Sequence, residues 1–341
     1  MVGNNMDEEF TARIVVVGVG GQGSNLVNRL YNKGIKSATT VAINTDAKHL
    51  NIVHADKRLL IGKDMTHGLG AGGFPEVAMK CAEADKDKIM EAIRGYDMVF
   101  IAAGMGGGTG GGAAPFIAQL AKEQGSLVVA FVTYPFALER SRKAKADWSL
   151  EQLRKNADTT IVIENDRLLS YAPNIPMEKS FELIDNIASN AVKGIADTIS
   201  LPSLINLDFA DVRTILRDGG TAVINIGFGS GTDKVQKVIK STLQHPLLDV
   251  DISQAKSAMI HVTGGTSLTI DEATKIGEQV TEGIDAKANV IFGARLTPEM
   301  NDKISVMSII TGVTPRFGTA PLPASNAAVS TDFLAGIDKI Y

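Results

Sequence analysis

The chain has 341 residues, 44% hydrophobic and 21% charged, which suits a soluble globular protein large enough for two packed domains. A formal net charge of −4 argues against nucleic acid as the main partner, because such binders carry a basic surface. The single cysteine, Cys81, excludes an intramolecular disulfide and cannot build a zinc site alone.

Residues 1–12 read as a flexible N-terminus; the opening MVGNNMDEEFTAR lacks the basic start and apolar core of a signal peptide. From there to residue 175 two periodicities alternate. Short β-branched runs at 14–17, 40–44, 98–103, 127–133 and 159–163 predict strands. Helical stretches at 24–31, 75–93, 113–124 and 143–156 lie between them. Strands that are apolar on both faces and alternate with helices predict a Rossmann-like parallel sheet covered on both sides. Residues 176–205 form a linker dominated by a long helix at 178–200. Its apolar positions Phe181, Ile184, Ile187, Ala188, Ala191, Ile195 and Ile199 recur every three or four residues, and Pro202 follows its end.

Residues 206–317 read as a second, smaller α/β domain, with helices near 209–217, 233–243 and 270–282. Its strands are predicted at 221–227, 258–263, 289–293 and 304–311. The remainder, 318–341, is rich in Pro, Ala, Ser and Thr and ends in FLAGIDKIY, the pattern of a flexible tail with a docking peptide. No apolar run approaches the roughly 20 residues needed to cross a bilayer, so direct membrane insertion is not expected.

Glycine is concentrated in three stretches. GVGGQG (18–23) follows a strand and opens a helix, satisfying G-x-G-x-x-G in its meaningful context. Asp46 falls where a ribose-binding acid would sit in a dinucleotide fold. On this stretch alone, an NAD-dependent enzyme and other nucleotide binders stay equally open. GMGGGTGGG (104–112) holds seven glycines in nine residues, again between strand and helix. Without side chains the backbone can approach phosphate closely and lead into a helix N-terminus that favours anions. A single dinucleotide fold has no use for such a second cradle. GLGAGGFPE (68–76) precedes another helix with Pro75 suited to its first turn, and reads equally as mobile loop or ligand contact. No Walker A lysine and no kinase signature occur, so phosphate would be held by main chain. In NLDFAD (206–211), Asp208 and Asp211 by themselves fit a helix cap and a dipole-favoured acid.

With these pieces assembled, the chain resembles the tubulin/FtsZ family, whose signature reads GGGTG[ST]G. Further matches are GVGGQGSN, NTDA (44–47), GLGAGGFPE, VTYPFALE (132–139), ENDRLL (164–169) and NLDFADVRTIL (206–216), over roughly residues 13–317. The length and the last two motifs resemble FtsZ more than eukaryotic tubulin, and the C-terminal peptide resembles archaeal members.

The resemblance implies a GTPase fold and a set of roles. Gly20, Gly21 and Gln22 would contact phosphates, and Gly106, Gly107, Gly108, Thr109 and Gly110 would cradle the β- and γ-phosphates. Ala71, Gly72 and Gly73 would sense the γ-phosphate; Glu139 with Arg142 or Lys143 would hold the ribose and phosphate side. Phe181 would stack on guanine, Asn186 would read its edge with help from Asn25, and Asn44 counts among the nucleotide contacts. Asn206, Asp208 and Asp211 would be catalytic, completing the GTP site of the next subunit in a head-to-tail filament. Mg2+ would be held by phosphates and water rather than by a protein metal site. The implied partners are further copies of the chain and, through the tail, a membrane-anchoring division protein, in the cytoplasm at the division site.

Four departures stand out. Gly111 replaces a hydroxyl residue and removes one possible phosphate contact, and Phe74 replaces a common Asn. Lys143 takes the place of an Arg unless Arg142 moves into it, and Asp185-Asn186 stands where many members have two acids or Asn-Asp. They leave open a second reading, a filament-forming relative that binds GTP but hydrolyses it poorly.

Overall fold

The computed structural model describes residues 12–167, 176–243 and 250–314. The predicted tail at 318–341 and most of the N-terminal segment lie outside the described residues. The first half runs β1 (Ile14–Val19), α1 (Gly20–Asn32), β2 (Thr39–Asn44), α2 (Ala47–Ile52), β3 (Lys57–Leu60) and α3 (Lys63–Thr66). It continues with α4 (Pro75–Ala84), α5 (Lys86–Ala92), β4 (Met98–Gly104), α6 (Gly108–Glu123), β5 (Leu127–Tyr134), α7 (Arg140–Asn156) and β6 (Thr159–Glu164). Then come α8 (Met177–Ser200), α9 (Phe209–Leu216), β7 (Gly220–Ser230), α10 (Lys234–Leu243), β8 (Ser257–Gly264), α11 (Ile270–Thr281), β9 (Asn289–Leu296) and β10 (Lys303–Thr311).

All ten strands join one sheet in the order β3-β2-β1-β4-β5-β6-β7-β10-β8-β9. The first six are parallel, and the order reverses between β1 and β4. In open α/β sheets, ligands bind beyond the carboxyl ends of strands at such a reversal. A short parallel pairing, Thr159↔Gly220 to Ile161↔Ala222, carries the sheet into the second half. There β10 lies antiparallel between β7 and β8.

Alternate residues of the parallel strands feed two cores, as strands apolar on both faces require. Val16, Phe100, Val129 and Ile161 pack against Leu26 and Leu30 of α1 and the stripe Ile184, Ile187, Ala191 and Ile195 of α8. Val15, Val17, Ile101 and Ala130 pack on the other face against Cys81, Ile89, Ile117 and Leu153. The periodicity of α8 is thus a burial stripe, each large side chain contributing roughly 1.5–3 kcal/mol.

The structure departs from the sequence expectations in three places. The predicted helix 75–93 is two helices, broken at Asp85, whose carboxylate leaves the helix face to accept from the Gly62 amide at 2.7 Å and the Lys88 ammonium at 2.5 Å. Second, α1 and α6 begin inside the glycine runs, at Gly20 and Gly108 rather than after them. Glycine costs a helix about 1 kcal/mol per residue, so propensity alone ends the helix too soon. Packing demands the glycines: a Cβ on Gly23 would overlap the Ala102 carbonyl, and one on Gly112 the Pro75 carbonyl. Third, α2, β3 and α3 were not expected; β3 is an edge strand whose Lys57 and Arg58 are exposed, which hides its period.

Candidate functional site

The two glycine-rich helix starts meet at the reversal point. A Cβ on Gly20 would lie 2.8 Å from the Gly110 nitrogen and 3.2 Å from the Thr109 Cβ. Neither helix has a side-chain N-cap, since Val19 and Gly107 precede them. The first amides of both helices therefore lack intrahelical partners and converge on one spot, an anion-binding arrangement. The third glycine stretch lies against α6: a Cβ on Gly108 would come within 3.0 Å of the Ala71 Cβ and the Phe74 nitrogen and 3.1 Å of the Gly73 nitrogen. Gly104 is covered by the Gln22 side chain, while a Cβ on Gly21 would meet nothing. The Thr109 and Thr45 hydroxyls share a hydrogen bond of 2.7 Å.

The start of α7 closes the next side. A Cβ on Gly106 would lie 2.8 Å from the Arg142 carbonyl oxygen and 3.0 Å from its Cβ, and the Arg142 guanidinium pairs with Glu139 at 2.7 Å. Of the two basic candidates, Arg142 is therefore the one packed on the cradle. Lys143 stands over the Tyr134 ring, 5.8 Å from its centre. Tyr134 donates to Asp147 at 2.5 Å; burial and that carboxylate hold its phenol well above the usual range.

At the outer end, His49 links Asn25 (3.2 Å) and Asn44 (3.4 Å) through its two ring nitrogens. Asn44 is buried, and its oxygen accepts from the Thr45 and Asp46 amides. Asp46 caps α2 through the His49 amide at 3.0 Å. Asn186 of α8 accepts from the Arg29 guanidinium at 3.2 Å, which ties the early part of α8 to α1. Burial, with Glu182 adding and Arg29 opposing, pushes the neighbouring Asp185 carboxyl up to about 6. The Phe181 side chain lies outside the described residues. Two further residues deserve a place at this rim. Asn165, just past β6, is buried with its amide oxygen accepting nothing among the described residues, and Thr45 holds Thr109. Both sit inside recognised motifs at the carboxyl ends of strands, which was the signal available in the sequence.

Asn206, Asp208 and Asp211 are elsewhere. Helix α8 has 24 residues and so spans roughly 36 Å. Its early residues Ile184, Asp185 and Ala188 line a small cavity with Gln22, Ala103 and Thr133, at the carboxyl ends of the strands. Its late residues Lys193, Asp197 and Ser200 line a cleft with Arg13, Ile14 and Thr39, where strands begin. The acidic loop follows at that far edge. Ile205 and Ala294 exchange main-chain bonds at 3.0 and 3.1 Å, making the loop a short addition to β9. Arg295 donates to the carbonyls of Asp197 (2.6 Å) and Leu201 (3.3 Å) and to Ser203 Oγ (3.3 Å). Leu207 is buried under Gly293, and Asn206 accepts from the Ser203 amide at 2.7 Å. Asp208 and Asp211 form a reciprocal capping box at the start of α9, at 2.8 and 3.2 Å, using one oxygen each.

Two helix starts joined at a glycine contact, with an acidic loop at the opposite edge, agree with what comparison reveals. The tubulin/FtsZ family GTPase domain matches residues 13–173, and the FtsZ family C-terminal domain matches 220–314. The chain belongs to the tubulin/FtsZ family. It is 52% identical over 310 residues to cell division protein FtsZ 2 of Methanocaldococcus jannaschii, covering 90% of this chain and 82% of that one. It is 50% identical over 308 residues to FtsZ 2 of Haloferax volcanii, covering 90% and 77%. A solved FtsZ dimer of M. jannaschii superposes with a TM-score of 0.85 at 43% identity, covering 89% of each chain. The archaeal FtsZ resemblance and the tubulin/FtsZ fold are thereby established.

Within the family signature, Gly111 is less of a loss than the sequence suggests. A Cβ there would lie 2.5 Å from Ser149 Oγ of α7, so a side chain at 111 points into the helix contact and away from the cradle. Ser149 is fully buried and fills that space. Gly111→Ser should cost about 2 kcal/mol by overpacking. Adding Ser149→Gly should recover most of it, a coupling of roughly 1–2 kcal/mol in a urea-unfolding double-mutant cycle. Additive effects would place the 111 side chain elsewhere.

Asp185 gives a pH prediction. An acid whose pKa is raised on folding binds more protons folded than unfolded, so stability falls as pH rises through the window from its ordinary value to about 6. Asp185→Asn removes that penalty. Its stability advantage over the parent, from urea unfolding without nucleotide, should grow by about 1 kcal/mol or more between pH 5 and 7.5. A pH-independent difference would show that Asp185 is not held protonated by burial.

Proposed function

We propose that this chain is an assembly-dependent GTPase in which the glycine cradle of one subunit is completed by Asn206, Asp208 and Asp211 of the next. The observation that carries the reading is the placement of cradle and acids at opposite edges of one sheet, with the full length of α8 between them. One molecule cannot bring its own acids to its own phosphates; a second copy stacked head to tail can. Such a contact is heterologous and does not close, so it builds a filament.

Exposed apolar side chains support a contact at both ends. Leu69 (84% exposed) and Leu138 (79%) flank the cradle, and Leu204 (64%) and Ile205 (40%) flank the acids. Self-association also agrees with the dimer of the M. jannaschii relative. GTP would lie with its phosphates on the amides of Gly20, Gly21, Ala71–Gly73 and Gly106–Gly110. Its ribose side would face Glu139 and Arg142, and its guanine would face Phe181, Asn165 and Asn186. Backbone amides bind phosphate but offer no group to position water, and phosphoryl transfer depends mainly on positioning and charge stabilisation. The free oxygens of Asp208 and Asp211 supply that group from the neighbour. Mg2+ would be held mainly by the phosphates and water. Residues 13–175 then act as the GTP-binding half, 176–205 as the rod between the two ends, and 206–317 as the activating half. The tail at 318–341 would dock a membrane-anchoring division protein; no helix among the described residues is long and apolar enough to cross a membrane.

GTP turnover per subunit against protein concentration tests this. Turnover should be negligible below a critical concentration and rise steeply above it. Asp211→Ala should keep GTP affinity within about threefold and lose at least 100-fold in turnover; removing one such stabilising group typically costs about 3 kcal/mol. The capping loss alone, about 1 kcal/mol of stability, would leave turnover intact. Turnover independent of concentration would sink the shared site.

A further inference from the structure

The stretch between α3 and α4 presses on the first turn of α6, yet little of its own fixes its shape. Gly68, Gly70, Gly72 and Gly73 all have positive φ, and glycine moves cheaply in that region. Its root is tied down, with the Gly70 amide on the Thr45 carbonyl at 3.1 Å and the Ala47 amide on the Gly68 carbonyl at 2.9 Å. Its tip is a tight turn. The Phe74 amide donates to the Ala71 carbonyl at 3.0 Å across Gly72 (φ 60°) and Gly73 (φ 77°), the two left-handed central residues of a type I′ turn. The amides of Ala71, Gly72 and Gly73 donate to no acceptor among the described residues, leaving successive N–H groups for an anion.

Lys145 reaches this tip from α7. Its ammonium donates to the Gly73 carbonyl at 2.6 Å and stands 5.0 Å from the centre of the Phe74 ring. The Gly73 carbonyl and the Phe74 amide belong to one planar peptide and point in opposite directions. Holding the carbonyl from α7 therefore aims the amide inward and closes the turn. Phe74 is 52% exposed, so its ring gains little from core burial; its contact is the cation above it. The same helix packs Arg142 on Gly106 one turn earlier, so α7 braces both phosphate loops.

We propose that Lys145, gripping the Gly73 carbonyl and the Phe74 ring, is a positioning residue that holds the Ala71–Gly73 amides ready for the terminal phosphate. It thereby sets the preference for nucleoside triphosphate over diphosphate. The proposal rests on the reading that residues 71–73 meet the γ-phosphate. Phe74 belongs to this device: the ring that replaces a smaller amide gives the lysine a second hold.

The test is the affinity of the full chain, below its assembly concentration, for GDP and for a non-hydrolysable GTP analogue. Lys145→Met should weaken the triphosphate about tenfold, the worth of one charge-assisted hydrogen bond, and leave GDP within about twofold. Lys145→Arg should restore most of the ratio, and Phe74→Leu should lower it about threefold by removing only the ring contact. Equal losses for both nucleotides, or an unchanged ratio in Lys145→Met, would overturn the role of Lys145 while leaving nucleotide binding intact. A parent chain that binds neither nucleotide would overturn the reading of the site, and this inference with it.

Discussion

The contact between Gly20 and Gly110 constrains everything around it. At 2.8 Å from a hypothetical Cβ to a backbone nitrogen, no side chain fits there, and two helices can begin almost in touch. Helix starts carry unpaired amides and the positive end of the dipole, so bringing two together concentrates a field that only an anion relieves. The parallel sheet makes the meeting possible, because β1 and β4 lie side by side and their following helices leave from the same edge. The remaining parts are arranged about that point: the 68–74 stretch on α6, Arg142 on Gly106, and the early part of α8 against α1.

The length of α8 imposes the second constraint. Its apolar stripe buries Ile184 to Ile195 along the sheet, which fixes the helix as a rod across the full height of the strands. Arg295 then binds the carbonyls that end this rod and the hydroxyl of Ser203. His261 lies behind, kept uncharged by burial and by that guanidinium, which hold it down to about 3. A rod tied at both ends offers a physical link between the nucleotide edge and the acidic edge. The same rigidity keeps the glycine-rich helix starts apart from Asp208 and Asp211 within one molecule.

Much of this was legible in the sequence, and for definite reasons. The β-branched runs predicted every strand of the parallel sheet except β3, because strands buried on both faces cannot hide their composition; β3, exposed at an edge, can. The glycine clusters marked where backbone must approach closely, which the structure uses both for helix packing, at Gly23 and Gly112, and for the meeting of the two helix starts at Gly20 and Gly110. Asp208 could be read as a helix cap and Asp211 as a dipole-favoured acid, and the structure joins the two in a reciprocal capping box.

What the sequence determined, then, was local: which segments are helix or strand, where side chains are forbidden, and which family the motifs resemble. Only the tertiary structure decided where those segments meet. Spacing along the chain could not choose between Arg142 and Lys143, because the choice depends on which faces Gly106 across α7. Nor could it reveal that Gly111 gives its space to Ser149, that Thr109 is held by Thr45, or that Lys145 reaches Gly73 from 72 residues away. These are contacts between distant parts of the chain, set by helix packing and strand order, and no local pattern encodes the partner.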